Sequence, residues 1–359
     1  MYRPVFININ LKNFSKNLSI IKKIVQNSFI WAVVKSNAYG HSLMSAILGL
    51  KKANGFAVLE IREAIFLRKN GWKKPILLLC GFFKKEELEL IVKYRITLVI
   101  HNKWQVKILK NSSFISENIF IKLNSGMNRL GFDKKNFIKF WIEMKKTKKF
   151  SNIILMTHFY NTNSKKSTKK IMYTIKNIST KIPVNSFCLA NSASMLLSKE
   201  THLDFVRPGI LLYGVSPSKK FEKKVKQYKI KPVMTLQSEI ISIQEFSNIR
   251  KNFGYYNKEK KIKSRKVGIV ACGYNDGYPK KIRIGHSYCL VEGKKCFVIF
   301  VCMNMMVVDL QFCPQASLGS KVELWGENIK INEVAEFCQT SSYQIFSNIS
   351  KDIRYFYKK

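Results

Sequence analysis

Residues 31–42 read WAVVKSNAYGHS. The apolar run Trp31 to Val34 shows no alternation with polar residues, so it predicts a strand buried on both faces, as in a parallel sheet covered by helices. Lys35 then stands at the strand's tip, with Tyr39 and His41 just beyond. The same rhythm continues down the chain. Apolar runs at 30–34, 55–59, 75–79, 96–100, 118–123, 152–157, 186–190 and 203–206 alternate with amphipathic stretches such as 60–69 and 134–147. Ahead of them, Leu11, Phe14, Leu18, Ile21 and Val25 recur at helical spacing and predict a helix over 11–25. Eight strand–helix units of this length predict a TIM-like (β/α)₈ barrel. A doubly wound open sheet would also alternate, but it usually carries a glycine-rich phosphate turn, and no G-x-G-x-x-G occurs.

Beyond residue 230 the pattern changes. VMTLQSEIISIQEF, KVGIVACGY, SYCLVEGKKCFVIFVCMNMMVVDL and SKVELWGE read as strands divided by turns, with a hairpin at Glu292-Gly293-Lys294. A short helix is predicted over 331–339, followed by an aromatic tail. The expected organisation is a barrel over 1–230 and an antiparallel β domain over 231–359, divided near Lys231-Pro232.

The 359 residues, 46% of them hydrophobic, can bury a large core. No apolar run approaches the roughly 20 residues needed to cross a bilayer, and the start MYRPVFININ does not read as a signal peptide. The eight cysteines include no C-x-x-C pair, which suits free thiols in a reducing cytosol. The five histidines are scattered, so no metal site is expected. The net charge of +41 is the one argument for nucleic acid. The lysines are spread along the whole chain, however, and KEKKIKSRK at 258–266 reads as a solvated loop.

In a parallel barrel, chemistry gathers at the C-terminal ends of the strands. Lys35 follows the first run. Lys122 ends the fifth, with Arg129 shortly after it. His158 follows the sixth, Asn191 and Ser192 the seventh, and Arg207 the eighth. Singly, such a histidine is usually structural and such an arginine an ion-pair partner. Together they predict a cationic, donor-rich pocket for a phosphorylated or carboxylated ligand. Arg207-Pro208-Gly209 either forms an ordinary turn or presents the Gly209 and Ile210 amides to a phosphate.

These residues resemble a known family. VVKSNAYGH and KLNSGMNRLG are similar to the lysine and arginine motifs of alanine racemases. ANSAS, VRPGILLYG, GYNDGYP, VCMNM and LWGE match further family segments in order, over essentially the whole chain. The resemblance implies pyridoxal phosphate held on the Lys35 amine, which then acts as base on one face of the substrate. It implies a second base, a tyrosine supplied by the partner of a homodimer. NFGYYNK (252–258) makes that residue Tyr255, while Tyr274 lines the substrate entrance. It also implies that Arg207 faces the pyridine nitrogen, that Arg129 and the Met303 amide bind the substrate carboxylate, and that His158 supports the tyrosine. By the same resemblance Tyr39, Ser192, Gly209, Ile210 and Tyr357 would hold the phosphate, and the residue matching Lys122 is carbamylated in many relatives. The implied function is D-alanine supply for peptidoglycan in the cytoplasm, with neither membrane nor nucleic acid as partner. The chain departs from the pattern at Asn124 and Ser125 (usually Asp-Thr), Asn304 (Asp), Ile299-Phe300 (Gly-Arg), Lys280 (Arg) and Tyr256-Asn257-Lys258 (Gly-Gly-Thr). A pyridoxal-phosphate homeostasis protein is the alternative. Such proteins share the barrel and the lysine but lack the β domain.

Overall fold

The computed structural model describes residues 3–162, 164–246 and 265–358. Strands β2 (Phe29–Val33), β3 (Gly55–Val58), β4 (Ile76–Leu78), β5 (Thr97–Ile100), β6 (Ser116–Lys122), β7 (Phe150–Met156), β8 (Phe187–Asn191) and β9 (Phe205–Arg207) close into a barrel, each parallel to the next, with β9 returning to β2. Every strand coincides with its apolar run to within two residues at either end. The absence of alternation has a direct cause. Trp31, Val33, Leu77, Val99 and Phe120 fill the barrel interior, while the intervening Ala32, Phe56, Leu78, Leu98 and Ile121 are buried against the outer helices. Helices Leu11–Val25, Ile61–Lys69 and Lys134–Lys146 lie where the helical spacing predicts them.

The second sheet runs β11 (Lys266–Val270), β14 (Met306–Asp309), β13 (Lys294–Val301), β12 (Tyr288–Val291), β15 (Lys321–Trp325), β10 (Met234–Glu245), β1 (Val5–Asn10) and β16 (Arg354–Lys358). β10 is long enough to pair with β15 through its first half and with β11 through its second, so the sheet also closes on itself. The turn between β12 and β13 places Glu292 and Gly293 at φ 46° and 76°, the left-handed pair of a tight hairpin.

Two features depart from the expectation. Residues 5–10, read as part of the barrel segment, form β1 in the second sheet, antiparallel to β10 and parallel to β16. The period-two burial of Val5, Ile7 and Ile9 is the signal for this strand. The second sheet is therefore not wholly antiparallel, and the aromatic tail is its edge strand. Helix Ile331–Phe337 is present as expected, but a further helix, Ser342–Ser347, follows it. All eight cysteines are unpaired. Among the described residues no helix is long and apolar enough to cross a membrane.

Candidate active site

After β2 the backbone reverses hand. Ser36, Asn37, Ala38 and Tyr39 take φ of 54°, 52°, 55° and 51°, one turn in the left-handed region, before Gly40 at 71°. Each non-glycine residue there costs about 1–2 kcal/mol, so neighbouring groups must hold the turn. The Ala38 amide donates to Val34 O (2.8 Å), Gly40 to Ser36 O (3.0 Å) and Ser42 to Asn37 O (3.0 Å). Asn37 Oδ1 accepts from the Leu43 amide at 2.9 Å, and the Asn37 amide donates to Glu63 Oε1 at 3.1 Å. Gly40 is obligatory, because a Cβ there would lie 2.2 Å from the Phe346 carbonyl oxygen. Tyr39 emerges from the turn with its ring 4.8 Å from that of Tyr213, whose buried phenol donates to Val33 O (2.8 Å). Behind them His41 is fully buried, with Nδ1 against Tyr39 O at 2.8 Å.

The opposite wall is built on the ends of β7, β8 and β9. Arg207 is buried, and it donates from Nη1 to Cys188 O (2.6 Å) and Sγ (3.0 Å), and from Nη2 to Thr157 O (2.6 Å) and Leu189 O (3.2 Å). Its four Nη hydrogens are thus taken by the protein, and among the described residues nothing accepts from Nε–H. Asn191 caps helix Ser192–Leu197, with Oδ1 accepting from the Ala193 and Ser194 amides. This fixes its orientation, so Nδ2 faces Phe159 O (2.8 Å) and His158 Nε2 (3.3 Å). His158 Nε2 is then an acceptor, and the ring proton sits on Nδ1.

The electrostatics join the walls. Burial pushes His158 down to about 3, aided by the positive charges of Arg207, Lys122, Arg129 and Lys35. Lys122 is pushed down to about 8 by burial, and Arg207, Arg129 and Lys35 act in the same direction. Lys35 is lowered by burial and then by Arg129, against smaller raising effects of Cys80 and Glu63. The Lys35, Lys122 and Arg129 cations form no hydrogen bond or ion pair among the described residues. Lys35, Lys122, Arg129, His158 and Arg207, inferred separately from the sequence, therefore share one barrel mouth.

Beside them lies a small cradle. The Gly209 amide donates to Ser192 Oγ at 2.9 Å, and a Cβ on Gly209 would lie 2.9 Å from the Tyr39 hydroxyl, so glycine is needed for that approach. Among the described residues nothing accepts from the Ile210 amide, although Ile210 is buried. Tyr357 does not join these contacts, and its phenol donates to Ser42 Oγ at 3.2 Å. The aromatic partner of Tyr39 on that side is Tyr343, at 6.0 Å between rings, with a phenol that burial pushes up to about 12. Tyr343 lies on the helix that the sequence reading missed, and one aromatic residue among many near the C-terminus gave no usable signal. Glu63 was also missed. Its signal was local, since Glu60 and Glu63 stand at capping-box spacing ahead of a helix.

The β-domain residues gather elsewhere. The Tyr274 amide donates to Cys302 O (3.0 Å) and the Asn275 amide to Met303 O (2.9 Å), locking two loops together. Asp276 accepts from the Gly273 amide (2.9 Å) and pairs with Arg3, whose Nη1 also donates to Asn304 O at 2.8 Å. Tyr274, Met303 and Met305 remain exposed, and no hydrogen bond, ion pair or ring contact among the described residues links this tip to the barrel mouth. Tyr255 lies outside the described residues, as do Tyr256, Asn257 and Lys258. At the other departures the chain compensates. Asn124 Oδ1 accepts from the Gly126 and Asn128 amides, and Ser125 Oγ accepts from Thr157 Oγ1 at 2.8 Å. Ile299 and Phe300 join a small apolar cluster with Val267 and Val307, and Lys280 lies over the Tyr274 ring at 5.3 Å.

Comparison with known proteins matches residues 9–217 to the N-terminal domain of alanine racemase and residues 233–357 to its C-terminal domain. The alanine racemase of Wigglesworthia glossinidia brevipalpis is 45% identical over 355 residues, covering 98% of this chain and 99% of that protein. That of Sodalis glossinidius is 39% identical over 352 residues, covering 98% of each. The crystal structure of the biosynthetic alanine racemase from Pseudomonas aeruginosa superposes with a TM-score of 0.93 at 30% identity over the full length of both chains. The chain belongs to the alanine racemase family.

Proposed function

We propose that this chain interconverts L- and D-alanine with pyridoxal phosphate, as a cytoplasmic homodimer that supplies D-alanine for peptidoglycan. The cofactor-binding barrel lies within residues 1–230, of which residues 5–10 belong to the second sheet, and residues 231–359 complete the partner's site. The observation that carries this reading is the gathering of Lys35, Lys122, Arg129, His158 and Arg207 at one mouth, beside a cradle with an unclaimed amide.

The residues fit the cofactor. The Ile210 amide, Ser192 Oγ and the Tyr39 hydroxyl suit a phosphate, with the Gly209 amide beside them on Ser192 Oγ; Tyr343 meets Tyr39 by ring contact, and Tyr357 meets Ser42. When bound, pyridoxal phosphate accepts the electron pair released as the α-proton leaves. Lys35 supplies an amine whose lowered pKa leaves more of it unprotonated, the form needed to attack a carbonyl carbon and to take a proton at Nζ. Arg207 is pinned by four bonds, and because a guanidinium donates and never accepts, it would face the pyridine nitrogen as a donor and favour that nitrogen unprotonated. His158, neutral and protonated on Nδ1, has a donor for the phenol oxygen of Tyr255 from a second copy, which would move the proton on the opposite face. Arg129 and the Met303 amide hold the substrate carboxylate from the two sides. Lys122, pushed down to about 8, has free amine at neutral pH, the form that carbamylation requires, and the resulting anion would sit among cations.

The test is formation of D-alanine from L-alanine, with and without added pyridoxal phosphate. Absence of product under both conditions overturns the reading.

A further inference from the structure

We propose that Glu63 is the positioning residue of this site: its carboxylate ties the end of β3 to the left-handed turn after β2 and so holds Lys35 and Tyr39 in place. The inference rests on the function proposed above. Glu63 is buried at the start of helix Ile61–Lys69. One oxygen, Oε2, accepts from the Leu59 and Glu60 amides at 3.2 and 3.4 Å; the other, Oε1, accepts from the Asn37 amide at 3.1 Å. Capping the helix needs only the first set. The third bond crosses to the neighbouring strand and reaches the middle of the reversed turn, between Lys35 and Tyr39.

A carboxylate suits the task because all three partners are donors and it can accept from each without presenting a hydrogen of its own. Among the described residues Glu63 is also the carboxylate whose charge favours the protonated form of Lys35, while Arg129 opposes it. Glu63 thus has two separable effects, aim and charge. Replacement by glutamine sets an NH₂ against amide donors on one side and removes the charge. Replacement by aspartate keeps the charge and shortens the reach, so the carboxylate no longer spans both strands.

The experiment uses the full-length apoprotein and pyridoxal phosphate, following growth of the borohydride-reducible chromophore against pH, with thermal melting alongside. Glu63→Gln is expected to slow attachment about tenfold or more through lost aim, and to move the midpoint of its pH dependence downward, because loss of a nearby negative charge makes Lys35 easier to deprotonate. A merely structural role would not shift the midpoint in that direction. Glu63→Asp is expected to slow attachment with the midpoint unmoved, and it serves alone if the glutamine variant does not fold. Attachment at the unmodified protein's rate and midpoint in the folded variants overturns the proposal. Failure of the unmodified protein to attach the cofactor would instead overturn the function on which the proposal rests.

Discussion

At the barrel mouth, Arg207, Asn191, Ser192 and Asn37 all find hydrogen-bond partners within the chain. At the tip of the β domain, Tyr274, Met303 and Met305 are exposed, yet the backbone beneath them is locked by Asp276, Arg3 and the paired loops. Rigid backbone under uncovered side chains costs order without any return inside one chain. A loop serving only as a connection has no need of it. In the proposed function the mouth takes the ligand, and the rigid tip is offered to a surface beyond its own chain. Under the proposed function that surface is the mouth of a second copy.

The mouth should carry the largest effect. Lys35→Ala is expected to lower racemisation by a factor of about 10³ or more and to abolish the borohydride-fixed chromophore. Recovery of that label on another residue in the unmodified protein would remove Lys35 from the centre of the argument. The next effect tests whether mouth and tip belong to different chains. Lys35→Ala and Tyr255→Phe proteins are each expected to be nearly inactive. When mixed and allowed to exchange, half the dimers are heterodimers with one intact site, so activity should rise to about a quarter of the unmodified level. No recovery, with exchange verified, would place both residues in one chain's site.

A third effect separates the regions by pH. His41 and His158 are both held down to about 3, chiefly by burial, against 6.5 when free, and both lie on the barrel side. Below pH 6.5 the unfolded chain takes up two protons that the folded chain refuses until about pH 3. Stability is therefore fully present above 6.5 and falls through that window by about 1.4 kcal/mol per pH unit for each histidine. Urea unfolding between pH 6.5 and 4 should show this slope, and His158→Gln should reduce it by one proton. An unchanged slope would mean that His158 already charges in the folded state.

The same contrast explains what the sequence disclosed. The barrel was legible because burial on both strand faces removes alternation, and eight repetitions of that pattern leave few architectures. The mouth was legible because strand ends collect chemistry, so Lys35, Lys122, His158 and Arg207 could be read from position alone. β1 was not read because its partners, β10 and β16, lie more than 200 residues away and its six residues give only a brief period-two signal. The left-handed turn was hidden because Ser36, Ala38 and Tyr39 are residues that normally avoid it, and the contacts that hold it include residues distant in sequence, Glu63 and Phe346. Tyr343 went unread for a related reason, since order along an aromatic tail says nothing about which ring folds back onto Tyr39.

The smallest expected effect concerns the tip and the family's usual aspartate at position 304. If the tip acts by presenting backbone, as the role proposed for the Met303 amide requires, the 304 side chain should matter little. Arg3 grips residue 304 through its carbonyl oxygen, and the charge of Arg3 is already answered by Asp276. A carboxylate added by Asn304→Asp would therefore be a partly exposed charge beside a satisfied pair, worth about 0–1 kcal/mol. The expected change in kcat/KM is within about fivefold, and melting should hardly move. A tenfold gain or loss would mean that this side chain itself reaches the substrate, and the tip would then be an active surface in its own right rather than a rigid backbone offered to another chain's mouth.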